Sequence, residues 1–236
     1  MSSSSRGSHH PSFRAVVGDL YSLLDFTGES ADEISSILGF SRKENESLLW
    51  KQYDEMHNAP HAQIVYYHLL TKCFWFREYE SVVECCAKYD SYTRASKVLR
   101  VSDVYREVLY GISMFILSRR KNDKELFSKG EECLTNMQAW ANVGSKWNAE
   151  NKALLLEAEC NFAKGDIPRA KTAYEQSIQS AHQHKFIHEE ALANELYGIF
   201  CVEAGDLYKG NELLGRARNL YEEWGAKKKA DMIFSL

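Results

Sequence analysis

One short pattern recurs in this chain and narrows its possible folds more than any other feature. Ala163-Lys164-Gly165-Asp166 aligns with Glu203-Ala204-Gly205-Asp206 at a shift of 40 residues. The same shift places Ala158 on Gly198, Ala170 on Gly210, Ala173 on Leu213, Tyr174 on Leu214 and Ser177 on Ala217. A period of this size marks stacked supersecondary units. Each conserved element of the pattern has a mechanical reading. The glycine ends one helix in a left-handed conformation, and the aspartate caps the next by accepting from its free amides. The small residues recur where two helices must approach closely.

The surrounding sequence is helical in pattern. Only Pro11, Pro60 and Pro168 interrupt the backbone ladder. No segment shows the two-residue alternation of a half-buried strand. From about Ala59 onward the apolar residues fall into paired stripes. Ile64 to Phe76 is answered by Tyr79, Val82, Val83 and Cys86, and Val104 to Leu117 by Leu126, Cys133, Leu134, Met137 and Trp140. Trp147, Leu154, Ala158 and Phe162 lead a third pair, with Ile167, Ala170, Tyr174, Ile178 and Ala181 on its partner. Leu192, Leu196, Ile199 and Phe200, then Leu207, Gly210, Leu214, Ala217, Tyr221 and Trp224, form the fourth. Upstream, Phe13, Val16, Val17, Leu20, Leu23 and Leu24 share a helical face, and Ser30 with Glu33 and Ser41 with Glu44 are capping pairs. Residues 1–12 have no apolar periodicity and read as a disordered tail or the remnant of an expression tag.

The small residues Ala158 and Gly198, the Gly-Asp turns, the small residues Ala170 and Gly210 and the large Tyr174 and Leu214 four positions later resemble tetratricopeptide repeats. That resemblance implies an all-α chain, a right-handed α-solenoid of antiparallel helix pairs. The division it suggests is a tail over 1–12, N-terminal helices over 13–58 packing on the array, and about four helix pairs plus a C-terminal helix over 59–236. The chain departs from the repeat in its longer period, in lacking the late proline, and in keeping only hydrophobic spacing in the first two pairs. Three further segments are Tyr66-Tyr67-His68-Leu69-Leu70 with Phe76-Arg77-Glu78-Tyr79-Glu80, the eleven residues from Phe186 to Leu196, and Trp224-Gly225-Ala226. Together they resemble the helical segment of large microbial multidomain signalling kinases. There the segment lies between a kinase-like and predicted-ATPase region and a sensor histidine kinase or similar output domain. The resemblance implies a place in a signalling architecture, with kinase or output domains as partners in cis or in trans.

Charge and composition exclude several classes. The 29 basic and 33 acidic residues interleave and give a net charge of -4, without the basic stripe that nucleic-acid backbones require. The longest nearly apolar run, Val108 to Leu117, is about half of what a membrane helix needs. No secretory signal pattern opens the chain, so a cytoplasmic location is expected. The six cysteines lie inside helical patterns and read as small buried hydrophobes in a reducing compartment.

No motif brings companions sufficient for chemistry, so no enzymatic activity and no cofactor or metal are expected. Gly205 to Asn211 lacks the Lys-Ser/Thr ending of a phosphate loop and joins two helices. Ser118 to Lys121 has the serine–lysine spacing of penicillin-binding proteins without either companion motif. His182, His184 and His188 with Glu189 form an imidazole cluster, but Phe186-Ile187 reads as a turn that separates them. Glu189 and Glu190 sit where a first helical turn favours negative charge. Cys85 and Cys86 are adjacent and point about 100° apart, which argues against a redox pair between them.

Asn194 and Glu195 are the candidate partner-binding residues, because leading helices line the concave face of tetratricopeptide arrays. Trp224, Ile233 and Phe234 are the candidate docking end. The apolar stretch after Lys227 to Lys229 either folds back as a short capping helix or continues into an interface. The function expected is a non-catalytic interaction or scaffold module of a signalling protein. The alternatives are a fragment of an ATP-using multidomain sensor kinase, against which the initiating methionine argues, and a small-molecule-sensing helical domain.

Overall fold

The computed structural model describes residues 59–92, 101–144 and 146–233. The tail over 1–12, the helices expected over 13–58 with their Ser30 and Ser41 caps, and Phe234 lie outside the described residues. Among the described residues there are nine α-helices and no strand. They are α1 (Ala59–Trp75), α2 (Tyr79–Ser91), α3 (Val101–Lys121), α4 (Lys124–Val143), α5 (Lys146–Lys164), α6 (Ile167–Gln183), α7 (Ile187–Glu203), α8 (Leu207–Trp224) and the short α9 (Lys227–Met232). The described residues are all-helical, as their pattern predicts.

The helices pack as consecutive hairpins: α1 on α2, α3 on α4, α5 on α6 and α7 on α8, with α9 on α8. The leading helices also touch one another in order, α1 to α3, α3 to α5 and α5 to α7. This produces two different kinds of helix. The following helices bury one stripe each, as Gly130, Cys133 and Met137 do on α4, and Gly210, Leu213, Leu214, Ala217 and Tyr221 on α8. That is the three/four spacing of an amphipathic helix with one face in water. The leading helices α3, α5 and α7 are buried around most of their circumference: each packs on its own hairpin partner and on both helices of the hairpin before it, and α3 and α5 also meet the leading helix that follows.

The turns show how local chemistry sets the hairpins. Gly165, Gly205 and Gly225 adopt φ of 77°, 89° and 91°, and each ends a helix in the left-handed region. Asp166 accepts from the Arg169 amide at 3.2 Å and Asp206 from the Lys209 amide at 3.1 Å, so both copies of the Gly-Asp turn are capped alike. Asp123 caps α4 in the same manner, at 2.8 Å from the Glu125 amide. Three further junctions use Arg77, Asn122 and Lys185 at φ of 63°, 52° and 59°, where a side chain is retained at a steric cost.

At the crossing of α7 and α8, a Cβ added to Gly198 would lie 2.8 Å from Leu214 Cγ, and one on Gly210 would lie 3.0 Å from the Gly198 carbonyl oxygen. Contact that close leaves no room for a methyl group. Several stripe residues behave differently from expectation. Trp147 is 52% exposed, and Leu207 and Ile167 also face solvent, because each lies in the first turn of its helix beyond the packed overlap. The segment after Trp224 folds back: Ala226, Ala230 and Ile233 are buried as α9 seats on α8. The described part of this segment is a short helix packed on α8.

Candidate functional site

A helix buried on all sides has no solvent face on which to place a charge, so each charged residue within it needs a partner in the core. The leading helices carry four such carboxylates: Glu107, Glu159, Glu189 and Glu195. All four are met by donors from other elements, and three of the resulting clusters join different hairpins.

Glu195, in the middle of α7, is 1% exposed. Its Oε1 accepts from Arg77 Nε at 2.9 Å, from Arg77 Nη2 at 2.6 Å and from Lys229 Nζ at 2.8 Å. Its Oε2 accepts from the Tyr221 hydroxyl at 2.5 Å. Four elements thus meet at one carboxylate: the α1–α2 turn, α7, α8 and α9. Lys229 is itself 1% exposed and lies 5.5 Å above the Tyr221 ring. Burial alone would raise the Glu195 pKa, but the Lys229 ammonium and the Arg77 guanidinium outweigh it and hold the carboxyl below its ordinary value. Burial pulls Lys229 below the ordinary lysine value, opposed by Glu195 and reinforced by Arg77. Burial, with the adjacent Glu195 charge, pushes the Tyr221 hydroxyl well up, so it stays a proton donor.

Glu189, near the start of α7, accepts from Lys152 Nζ at 2.7 Å and also from the Asn151 amide and the Tyr105 hydroxyl. Lys152 also donates to the Asn148 carbonyl at 2.7 Å. Glu189 lies in the first turn of α7, as the sequence places it, and is also buried in the core. Glu190 faces His182 at 3.1 Å. His188 packs between aromatics, with ring centroids 5.2 Å from Trp224 and 6.3 Å from Tyr105. Burial holds its imidazole below the ordinary histidine value, against the pull of Glu189. The separation of His184 from His188 by a turn is present: α6 ends at Gln183 and α7 begins at Ile187. The third cluster joins Glu159 of α5 to Arg119 of α3 at 2.7 Å and to the Tyr174 hydroxyl of α6 at 2.6 Å. Arg119 lies 4.0 Å above the Phe162 ring, a cation–π contact that shields the pair. Glu107 accepts from Arg106 at 2.9 Å and Asn136 at 2.8 Å.

The expected interaction residues take these positions. Asn194 and Glu195 are each 1% exposed; the Asn194 amide donates to the Glu190 carbonyl at 2.8 Å, and Glu195 is enclosed by its three donors. Neither is displayed on a surface: Glu195 is covered by Arg77 of the α1–α2 turn, Tyr221 of α8 and Lys229 of α9, and Asn194 is buried beside it on α7. Ile233 is a core residue. Trp224 keeps 37% exposure, beside Trp75 at 5.6 Å and His188 at 5.2 Å. The residues that sequence reasoning missed are Arg77, Lys229, Lys152, Arg119 and Glu159. No local signal marks them: Arg77 stands beside Glu78, Arg119 beside Arg120, Lys229 after Lys227 and Lys228, and Glu159 two residues from Glu157, so each reads as one charge among several.

A pocket of about 540 Å³ opens where α3, α4 and α5 meet; it shares Tyr105 and Lys152 with the Glu189 cluster and is lined also by Val104, Trp140, Ala149 and Phe186 among others. Among the described residues no group of three His, Cys, Asp or Glu side chains is placed to hold a metal ion, and no helix is long and apolar enough to cross a membrane. No family model matches the chain, and no curated protein matches it.

Proposed function

We propose that this chain is a non-catalytic interaction and positioning module, a tetratricopeptide-like right-handed array that holds partner domains of a signalling protein in fixed relation. The observation that carries this reading is the Glu195 cluster. A buried carboxylate with two cations costs several kcal/mol of desolvation per ion, and in some proteins such groups select one arrangement among competing ones, the role we assign to this cluster. Here they tie the first described hairpin to the last across 118 residues. The result is a frame of defined shape, with its acid groups engaged as acceptors of fixed donors and so ill suited to proton transfer. Trp224 is the exposed aromatic at the junction of the two ends, and aromatic anchors of this kind dominate protein interfaces. The test is affinity capture of the full chain from its native cell with mass spectrometry, run beside Trp224→Ala. Enrichment of kinase or output domains that the variant loses is the expected result. Hydrolysis of ATP by the homogeneous chain, abolished by changing one of its own residues, would overturn the reading.

A second reading has a specific observation behind it. The pocket beside Lys152 falls within the usual range for small-molecule sites, about 300–1,000 Å³, and is mostly apolar with a few polar groups. A metabolite that raises the melting temperature of the native chain, and fails to do so for Ala149→Trp, would favour sensing over scaffolding.

A further inference from the structure

Aromatic rings line the pocket between α3, α4 and α5 from separate places in the fold: Tyr105 on α3, Trp140 on α4 and Phe186 in the turn before α7. Val101, Val104 and Val143 extend the apolar wall, and the exposed Val101 and Val143 carry it out to the surface. Among the described residues that line the pocket, Lys152 alone carries a charge. Whether that charge is available decides what class of molecule the pocket accepts.

An ammonium has three N–H donors. Those of Lys152 are met by the Asn148 carbonyl at 2.7 Å, by Glu189 Oε1 at 2.7 Å and by Glu189 Oε2 at 2.8 Å. Its Nζ also lies 5.3 Å from the centre of the Tyr105 ring and 5.0 Å from that of Phe186, so two of the pocket's own rings shield it. Glu189 accepts in addition from Asn151 and Tyr105, and is buried outside the pocket wall. The one ion pair at the pocket is thus complete within the protein.

We propose that this pocket binds an uncharged, flat aromatic molecule, an inference that rests on the small-molecule reading given above. An anion recruits Lys152 only by drawing it from Glu189, which strands a buried carboxylate. A cation meets the Lys152 ammonium already placed over Tyr105 and Phe186, and no acidic side chain of the wall offsets that repulsion. A neutral ring incurs neither cost. It stacks offset or edge-on against Trp140, Tyr105 or Phe186, the arrangements that aromatic pairs favour, and leaves the Lys152–Glu189 pair as it stands. The volume of about 540 Å³ suits a molecule of a few linked rings.

The test titrates the full chain with two fluorescent dyes that differ by one sulfonate: neutral N-phenylnaphthylamine and anilinonaphthalene sulfonate. The neutral dye should bind saturably, one per chain, and at least about ten-fold tighter than the sulfonate, which must bury an unpaired charge. Benzyltrimethylammonium should not displace it. Val104→Asp, which puts a carboxylate into the wall, should weaken the neutral dye by about ten-fold or more. Leu207→Asp, at an exposed apolar site on α8, should leave it unchanged. Should Val104→Asp fail to fold, the wild-type chain decides alone. Displacement of the neutral dye by the sulfonate with equal or greater affinity, or by benzyltrimethylammonium, overturns the assigned class of ligand and leaves the pocket a binding site. Absence of saturable binding by either dye, or neutral-dye binding that Leu207→Asp abolishes and Val104→Asp does not, overturns the site as well.

Discussion

The hairpins α5–α6 and α7–α8 are copies in backbone and turn, yet their interiors differ. Both turns use glycine at positive φ followed by an aspartate cap. Both carry a glutamate on the leading helix that accepts from a buried tyrosine on the following one, Glu159 from Tyr174 and Glu195 from Tyr221. The registers do not correspond under the 40-residue shift. Glu159 and Tyr174 sit near their turn, and the pair looks back to Arg119 on α3. Glu195 and Tyr221 sit far from theirs, and the pair looks to Arg77 and Lys229. Repetition therefore sets the shape of a hairpin, while the placement of buried charge sets which element stands beside it.

The comparison breaks most readily at the two glutamates. Glu195→Leu strands Lys229 in the core and leaves Arg77 without its carboxylate, and removing one partner of a buried pair costs about 3–5 kcal/mol. Glu159→Leu strands one cation instead of two, Arg119, which is partly exposed and keeps its Phe162 contact, beside the Tyr174 hydroxyl that corresponds to Tyr221 at the other site, and is expected to cost less. Urea unfolding at neutral pH measures both; equal losses would mean that the second cation at Glu195 is energetically silent.

The close crossing comes next. Gly198→Leu forces a side chain into Leu214 and should cost about 1–3 kcal/mol by overpacking. The exposed Lys228→Ala should stay within about 0.5 kcal/mol of wild type. Coincident thermal melts of the two variants would contradict the close approach of α7 and α8. The corresponding sites in the other copy already hold Ala158 and Ala170, so that crossing is the roomier of the two.

Acid separates the two copies in another way, because the titrating groups cluster around α7. His188 has its pKa held below the ordinary histidine value, so the unfolded chain binds its proton first. Stability should decline as pH falls through about 6.5, the unperturbed value, toward the folded one. Glu195 is also held low, and its contribution, complete above the ordinary carboxylate range, is lost as pH falls through that range to the folded value. His188→Gln should flatten the upper part of the stability profile and leave the lower part. A profile unchanged by the variant would remove His188 from the account.

The smallest effects test the turns. Gly165→Ala and Gly205→Ala meet no atom within 4 Å, so only the left-handed backbone resists them. Each should cost about 1 kcal/mol, equally in both copies. Lys185→Gly, at an exposed position with φ of 59°, should instead gain about 0.5 kcal/mol from relief of the same strain. Calorimetric melting of the three variants checks the set.

The copied turns and the stripes of α4, α6 and α8 were legible in the sequence because one face in water leaves a periodic mark. Burial around α3, α5 and α7 erases that mark: Leu154 looks like a stripe residue but is less buried than Leu155 and Leu156 beside it. The same erasure hid the candidate site. Glu195 could be singled out as a polar residue on a leading helix, but whether it faced a partner or the core depended on Arg77 and Lys229. Those residues lie far away in sequence, and no local pattern links them. Trp224 was legible as a large aromatic at a helix end, and its half-exposed position against Trp75 required the two ends to meet.

Because Arg77, Glu195 and Lys229 share one contact, the first and last described hairpins are not independent of each other. A row of helix pairs held only by its neighbours unfolds like a one-dimensional chain, fraying from either terminus while the middle survives. Here loss of α9 uncovers the charge that α1–α2 depends on, so opening at one end weakens the other. Amide exchange should then show α1 and α9 protected to similar free energies and released together, a single cooperative unit rather than a gradient. The cost is kinetic. A contact spanning 118 residues must wait for the intervening chain to organise, so the final closure should lag behind formation of the hairpins themselves.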